Sequence, residues 1–278
     1  MNLAQHVQIS AIAIVILQCV VGSAAHAEEI DLAANKDNTL FEEGDLSNGA
    51  GDHIFAGSTA NGSSRRSLIQ FDIAGNIPAG ATIDAVHLTL NVSKIPIGTA
   101  KNVGLFRLSR DWGESGSNAP GEEGGGTEPA ADDATWSHTF FPFEFWSEPG
   151  GDYSGVASAT TLVGGLGFVT WSTTPELVAD VQQWLDQPAG NFGWLLMGDE
   201  SEALTAKRFD SRETGGAQAP RLRILFTPAP FGACCAVNGE CSESLESICR
   251  ESGGFFQSPG STCAMVLECP VFENSFEG

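Results

Sequence analysis

The chain has 278 residues, with 35 Asp and Glu against 13 Lys and Arg and a formal net charge of −22 at pH 7. A surface this anionic repels nucleic acid and anionic membranes, so charge excludes both as partners. The acidity fits solubility outside the cell, and it also fits a bound divalent cation such as calcium, which prefers oxygen ligands. Solubility is the simpler explanation.

The first 27 residues have the pattern of a cleaved secretory signal. An apolar run over residues 9–21 is too short to span a bilayer and precedes the small-x-small tripeptide Ala25-His26-Ala27, although no Lys or Arg comes before it. No later stretch reaches the roughly 18 to 20 apolar residues of a membrane span. We therefore predict a secreted or cell-surface protein that starts at Glu28 and does not insert directly into the membrane after cleavage.

Residues 28–227 have the pattern of a sheet protein with one full core. Apolar and polar residues alternate most clearly over residues 86–92, and the same period returns at 222–226 and 67–73. Shorter strand candidates are residues 29–34, 53–56, 103–109, 168–171, 193–197 and 206–210. The sequence therefore predicts an all-β sandwich.

One helix is predicted within this all-β pattern. Thr174 offers a capping hydroxyl, Pro175 suits the first turn, and Pro188 ends the run. Apolar residues recur on one stripe at Leu177, Val181, Trp184 and Leu185. We expect this stripe to pack on the sandwich.

A long insertion over residues 111–155 is rich in Gly, Glu and Pro and also carries many aromatic residues. We expect residues 115–131 to form a mobile tip and the aromatic flanks to be ordered. Most of the rings are expected to pack the insertion onto the sandwich, while one or two exposed rings would stack on a sugar. The carbohydrate-binding candidates are Trp112, Trp136 and Trp146.

Short segments spread over residues 28–226 carry a family resemblance. They are KDNTL at 36–40, RRSLIQFD at 65–72, IPAGATI at 77–83, DWGE at 111–114, PGGD at 149–152, NFGW at 191–194, KRFDSRE at 207–213 and PRL at 220–222. In this order they resemble the DNRLRE-domain family. The resemblance implies a jelly-roll β-sandwich related to carbohydrate-binding modules, some of which accompany enzymes acting on alginate and similar acidic polysaccharides. It also implies a non-catalytic binding or surface role.

Basic residues on so acidic a chain are candidate contacts for an acidic sugar. Arg65 and Arg66 follow a polar loop and could bind a uronate carboxylate, although pairing with the protein's own acids is the simpler expectation. Arg208, Asp210 and Arg212 alternate along one strand face and are expected to form a structural salt-bridge ladder.

An oxygen-rich stretch near the mature start offers candidate calcium ligands. They are Asp37, Asn38 and Asp52, and their spacing is not that of an EF-hand. A structural calcium is the one cofactor that the sequence suggests.

Catalytic machinery is poorly represented. The chain from Glu28 has three histidines, one tyrosine and no nucleophile-elbow, P-loop or dinucleotide motif. A glycosidase needs only two carboxylates, so a polysaccharide-degrading enzyme stays open as the less favoured alternative. We expect no enzyme activity and predict a module that binds polysaccharide or cell-surface glycan. The other alternative is a structural matrix protein without a glycan ligand.

Residues 228–278 form a separate tail that contains Cys234, Cys235, Cys241, Cys249, Cys263 and Cys269. In an exported chain this density predicts a disulfide framework, and the spacings do not suit a zinc site. Six cysteines allow 15 connectivities, and the sequence does not choose among them. The tail resembles a small cysteine-rich repeat of secreted bacterial proteins, and residues 271–277 resemble a short terminal sorting tag.

Overall fold

A computed structural model describes residues 26–96, 100–266 and 269. Most of the predicted signal, residues 1–25, and the terminal segment 271–278 lie outside the described residues. The described chain divides into a large unit over residues 26–230 and a small unit from residue 231 onward. No helix among the described residues is long and apolar enough to cross a membrane.

The large unit is an antiparallel β-sandwich, as the alternation predicts. Its strands are β1 (Glu28–Ala33), β2 (Lys36–Phe41), β3 (His53–Ser58), β4 (Ser64–Gln70), β5 (Thr82–Lys94), β6 (Lys101–Arg107), β7 (His138–Phe140), β8 (Glu144–Phe145), β9 (Ala159–Val163), β10 (Gly167–Trp171), β11 (Trp194–Met197), β12 (Lys207–Asp210) and β13 (Arg221–Thr227).

Two layers face each other across the core. Sheet A contains β1, β13, β5, β10, β12 and β3, and sheet B contains β2, β4, β11, β6 and β9. The last residues of β3, Gly57 and Ser58, pair with β4 and join the layers into one curled sheet. Period-2 alternation therefore gives each strand one face toward the shared core and one face away from it.

The central strand β5 shows how the sequence sets this arrangement. Val86, Leu88, Leu90 and Val92 are buried in the core, while the residues between them face outward and are half-buried. Each fully buried aliphatic side chain contributes about 1.5–3 kcal/mol of transfer free energy. A one-residue slip of β5 would expose all four, so the alternation fixes its register.

The predicted helix is present as α1 (Pro175–Asp186). The hydroxyl of Thr174 accepts a hydrogen bond from the Leu177 amide at 3.0 Å and caps the first turn. Trp184 lies in the core with its ring 4.5 Å from that of Trp194, and the Trp194 indole donates to the buried Asp180 carboxylate at 2.9 Å. The helix is thus part of the sandwich core.

The insertion lies on the outer face of sheet B and builds a second core there. Leu40, Leu68 and Leu195 point outward from the sheet and pack against Trp112 and Trp146 of the insertion. The short strands β7 and β8 form a hairpin within it. The insertion therefore covers part of the outer face of sheet B.

The tip of the insertion is fixed by hydrogen bonds, so the expectation of a mobile tip is wrong. The buried Glu123 carboxylate accepts from the His53 amide and the Asn48 side chain, each at 2.9 Å. Asp133, also buried, accepts from the amides of Ser115 and Ala130. Carboxylates that satisfy backbone amides in this way stabilise a loop of polar composition.

The small unit is held by three disulfides, Cys234–Cys249, Cys235–Cys269 and Cys241–Cys263. The prediction of a disulfide-rich tail is confirmed, and the pairing resolves the connectivity that the sequence left open. The small unit contains β14 (Gly232–Cys235), β15 (Cys241–Ser244), the short helix α2 (Glu246–Glu251) and β16 (Phe255–Pro259). Cys234–Cys249 links β14 to α2, while β15 and β16 pair with β14 as antiparallel strands.

Candidate functional site

Two of the predicted tryptophans are structural. Trp112 is fully buried and its indole donates to the Phe192 carbonyl at 2.8 Å. Trp146 is 5% exposed and its indole donates to the Thr135 carbonyl at 2.9 Å. Neither ring is presented to a ligand, because both bury apolar area between the insertion and sheet B.

Trp136 and Arg66 are brought together at the edge of this second core. The Arg66 guanidinium lies 4.8 Å from the centre of the Trp136 ring, in a cation–π contact. Two of its guanidinium nitrogens donate to the Glu200 carboxylate, each at 2.8 Å, and the third donates to the Gly150 carbonyl at 2.9 Å. Each guanidinium nitrogen of Arg66 therefore donates to an acceptor within the protein.

Arg65 lies apart from this pair and is also engaged. It is 3% exposed, binds both oxygens of Glu43, and donates to the Gly124 carbonyl at 3.2 Å. The simpler expectation, pairing with the protein's own acids, describes both arginines.

The expected salt-bridge ladder is wrong, because its members bind elsewhere. Arg208 pairs with Glu122 at 2.7 Å, and Asp210 accepts from Asn91. Arg212 lies beyond the end of β12 in a 3₁₀ turn, so its side chain no longer follows the alternation of the strand.

The calcium candidates are placed in three different environments. Asn38 is buried, and its side-chain oxygen accepts from the amides of Thr39 and Asn48 and from the Ser47 hydroxyl. Asp52 is exposed at the surface. Asp37 is buried and lies close to the carboxylates of Glu114 and Glu213, which the sequence did not predict as its neighbours.

These three residues form the acidic cluster, in which one carboxylate oxygen of each lies within 4.8 Å of the others. Arg212 spans the cluster. Its amide donates to Asp37 at 2.8 Å, its Nε donates to Glu114 at 2.7 Å, and one terminal nitrogen lies 3.0 Å from Glu213. The cluster therefore holds a cationic group of the protein itself.

Burial dominates the electrostatics of the acidic cluster. It raises the pKa of Asp37 well above its usual value, with the Glu213 charge adding to the effect. It also raises the pKa of Glu114 to about 7, against the lowering effect of the Arg212 hydrogen bond. The pKa of Glu213 is raised by burial as well, and Arg212 opposes this shift. One arginine does not compensate three carboxylates, of which Asp37 is buried and Glu114 and Glu213 are half-buried.

Sheet A has an open outer surface. Its outer face forms a groove of about 800 Å³ between β1, β13, β5 and β10. The lining residues are Glu29, Asp31, His87, Thr89, Thr170, Ala217, Arg221, Arg223 and Leu225. All of these residues except Ala217 lie on strands, where they alternate with core residues and therefore face outward.

Strand register orders the polar groups of the groove into two rows. In the first, Arg221 lies opposite Thr89 and Thr89 lies opposite Thr170, with the two hydroxyls 2.9 Å apart. In the second, Asp31 lies opposite Arg223 and Arg223 lies opposite His87. Hydroxyl, imidazole and guanidinium groups thus face the same open space.

Arg221 differs from the other arginines. Most lysines and arginines of the described chain pair with a carboxylate, and Arg223 has both Glu29 and Asp31 within 3.4 Å. Arg221 is exposed and donates to the Gly216 carbonyl at 3.0 Å. Among the described residues, no carboxylate oxygen lies within 4 Å of its guanidinium nitrogens.

Sequence reasoning missed Arg221 as a site residue. Alternation in residues 222–226 predicts that position 221 faces outward, but pairing with an acid depends on neighbours that are far apart in sequence. Comparison with known proteins does not supply the function either. No protein-family model matches the chain, and a search of curated proteins finds no match.

Proposed function

We propose that this protein is a secreted or cell-surface, non-catalytic module that binds polysaccharide, with a preference for acidic glycans, through the groove on sheet A. The observation that carries the proposal is Arg221, a guanidinium without a carboxylate partner among the described residues, in the groove of a chain with net charge −22.

The chemistry of the groove suits a uronate polymer. A guanidinium matches a carboxylate with two parallel hydrogen bonds, and such charge-assisted bonds are the strong ones. Thr89, Thr170 and His87 offer hydrogen bonds to sugar hydroxyls in the adjoining positions. Glu29 and Asp31 together carry one negative charge more than Arg223 offsets, so the selectivity for a carboxylate ligand rests on Arg221.

Export is supported by two independent features. The first 27 residues have the pattern of a signal peptide. The small unit carries three disulfides, which form and persist in oxidising compartments outside the cytosol. The resemblance of the segments to the DNRLRE-domain family supports a surface role and the same class of ligand.

The test is affinity gel electrophoresis on a panel of acidic and neutral polysaccharides, with polygalacturonate and alginate among the acidic ones. We expect retardation by the acidic polymers and weakening of at least about tenfold in Arg221→Ala, the effect of losing one charge-assisted bond. Arg250→Ala is the matched control, because Arg250 is an exposed arginine of the small unit paired with Glu246 four residues away. It should leave the retardation unchanged.

The remaining outcomes separate the alternatives. Uniform failure to bind would support a structural matrix protein and reject the proposal. New reducing ends or unsaturated products would show an enzyme. The panel is run with and without a calcium chelator, because Asp37, Glu114 and Glu213 are the described carboxylates that converge closely enough to hold an ion.

A further inference from the structure

A pocket with apolar walls and cationic side chains lies beside the tip of the insertion, within the large unit. Its volume is about 440 Å³, which is in the size range of small-molecule sites. Its lining residues come from β3, β4, β5 and β12, from the segments next to these strands, and from the insertion. We call it the tip pocket.

The walls of the tip pocket are mainly apolar. They are formed by Phe55, Ala60, Ile95, Pro96 and Ala206. Covering such walls with an apolar group removes their surface from water, and the free energy gained grows with the area covered. The walls therefore favour a ligand with an apolar body.

Hydrogen bonds hold the insertion against the tip pocket. Arg65 donates to the Gly124 carbonyl through Nε at 3.2 Å and through a terminal nitrogen at 3.1 Å. Glu123, the residue before Gly124, is buried and accepts from the His53 amide at 2.9 Å. The pocket is thus formed before a ligand arrives, so little free energy is lost in ordering its walls.

Two cations at the mouth of the tip pocket share one carboxylate. Lys94 Nζ and a terminal nitrogen of Arg208 bind the same oxygen of Glu122, at 2.9 and 2.7 Å. Among the described residues, no other carboxylate oxygen lies within 4 Å of either cation. Lys94 and Glu122 are both exposed, so a ligand entering from solution can reach this group.

The tip pocket therefore carries excess positive charge. Arg65 does not change the balance, because both oxygens of Glu43 bind its guanidinium. The three cations of the pocket thus face two carboxylates, on a chain whose net charge is −22. A carboxylate ligand would supply the missing negative charge and accept charge-assisted hydrogen bonds.

We propose that the tip pocket binds a small amphipathic anion, a monocarboxylate with an apolar body. The carboxylate of the ligand binds Lys94 and Arg208 in competition with Glu122, and its apolar body lies against Phe55 and Ile95. The tip pocket and the groove have no lining residue in common, so this proposal does not rest on glycan binding.

The experiment is isothermal titration calorimetry of the full chain with 3-phenylpropionate. We expect one site per chain, and at least about tenfold weaker binding of 3-phenylpropionamide, which has the same apolar body without the charge. Lys94→Met removes the excess cation and keeps an apolar stem, so it should weaken binding of the carboxylate by a similar factor. Glu122→Gln removes the competing carboxylate and should tighten binding.

Two neighbouring glycines test the location of the site. A Cβ at Gly124 would lie 3.5 Å from the Phe55 ring, at ordinary contact distance, so the side chain of Gly124→Leu would enter the tip pocket and should abolish binding. Gly125→Leu is the matched control, because a Cβ there meets nothing within 4 Å. It should bind 3-phenylpropionate like the unmodified protein, and so should Arg221→Ala.

Four results would overturn the proposal. Absence of binding by the unmodified protein would reject the site, and equal affinity for the carboxylate and the amide would reject recognition of charge. Unchanged binding in Gly124→Leu would place the ligand outside the tip pocket. Loss of binding in Arg221→Ala would place it in the groove instead.

Discussion

Glu114 makes the stability of the sandwich depend on pH. Burial raises its pKa from 4.5 to about 7, and the native state therefore holds this proton more tightly than the unfolded chain. Unfolding releases the proton between these two values, so the contribution of Glu114 is fully present below about pH 4.5 and is lost as the pH rises through about 7. The free energy of unfolding must fall over that window.

The magnitude follows from the shift. A rise from 4.5 to about 7 corresponds to about 3 kcal/mol, at 1.36 kcal/mol for each pKa unit. The side chain is only 7% exposed, so solvent screens little of this energy. Asp37 and Glu213 have raised pKa values too, and they act in the same direction.

Glu114→Gln tests this reasoning by removing the titration. Its amide oxygen can still accept from Arg212 Nε, which binds Glu114 at 2.7 Å. Denaturant unfolding of both proteins should show the variant gaining about 2–3 kcal/mol over the unmodified protein between about pH 4.5 and pH 8. Glu128→Gln, at an exposed glutamate of the same insertion, should follow the unmodified protein at each pH.

A difference between Glu114→Gln and the unmodified protein that does not change with pH would refute the assignment. A variant that loses stability relative to the unmodified protein as pH rises would refute it more strongly, because the sign would be reversed.

Three further predictions concern the fold. Trp194→Ala should cost about 3–5 kcal/mol in denaturant unfolding, because its fully buried ring packs on the core, and a cost below about 1 kcal/mol would contradict this packing. Gly193→Ala should destabilise by more than about 1 kcal/mol, because φ is +75° and a Cβ would lie 2.1 Å from the Ile69 carbonyl oxygen; Gly165→Ala, which meets open space, should be close to neutral. Reduction of the disulfides should destabilise the small unit, by about 3 kcal/mol for the 15-residue loop that Cys234–Cys249 closes. The thermal transition of residues 26–230 should stay unchanged, and a shift of that transition would contradict its independence of the disulfides.

The sequence predicts the elements whose burial alternates. The sequence predicts β5 and β13 because apolar residues recur at every second position. It predicts α1 because the capping residue and the apolar stripe both indicate a helix. β2 was missed, since Asp37, Asn38 and Thr39 are buried polar residues and the strand shows no apolar alternation. These side chains are buried because they form hydrogen bonds with residues far away in the sequence, which the local pattern does not reveal.

The candidate sites depend on long-range contacts that a pattern does not show. Trp112 and Trp146 lie in a polar insertion, where the sequence gives no sign of burial. The structure shows that both rings are buried in the second core. Glu123 and Asp133 belong to a segment with the composition of a flexible loop, yet both are buried acceptors of backbone amides. Arg221 stands out only when the partners of its neighbours are known.

The most direct test of glycan binding is the dissociation constant of the unmodified protein and of Arg221→Ala for polygalacturonate, at low and at high salt. The groove predicts binding that weakens with salt for the unmodified protein, at least about tenfold weaker binding for the variant at low salt, and a flatter salt dependence for the variant. Equal dissociation constants for the two proteins at low salt would contradict a groove that selects acidic glycans through Arg221.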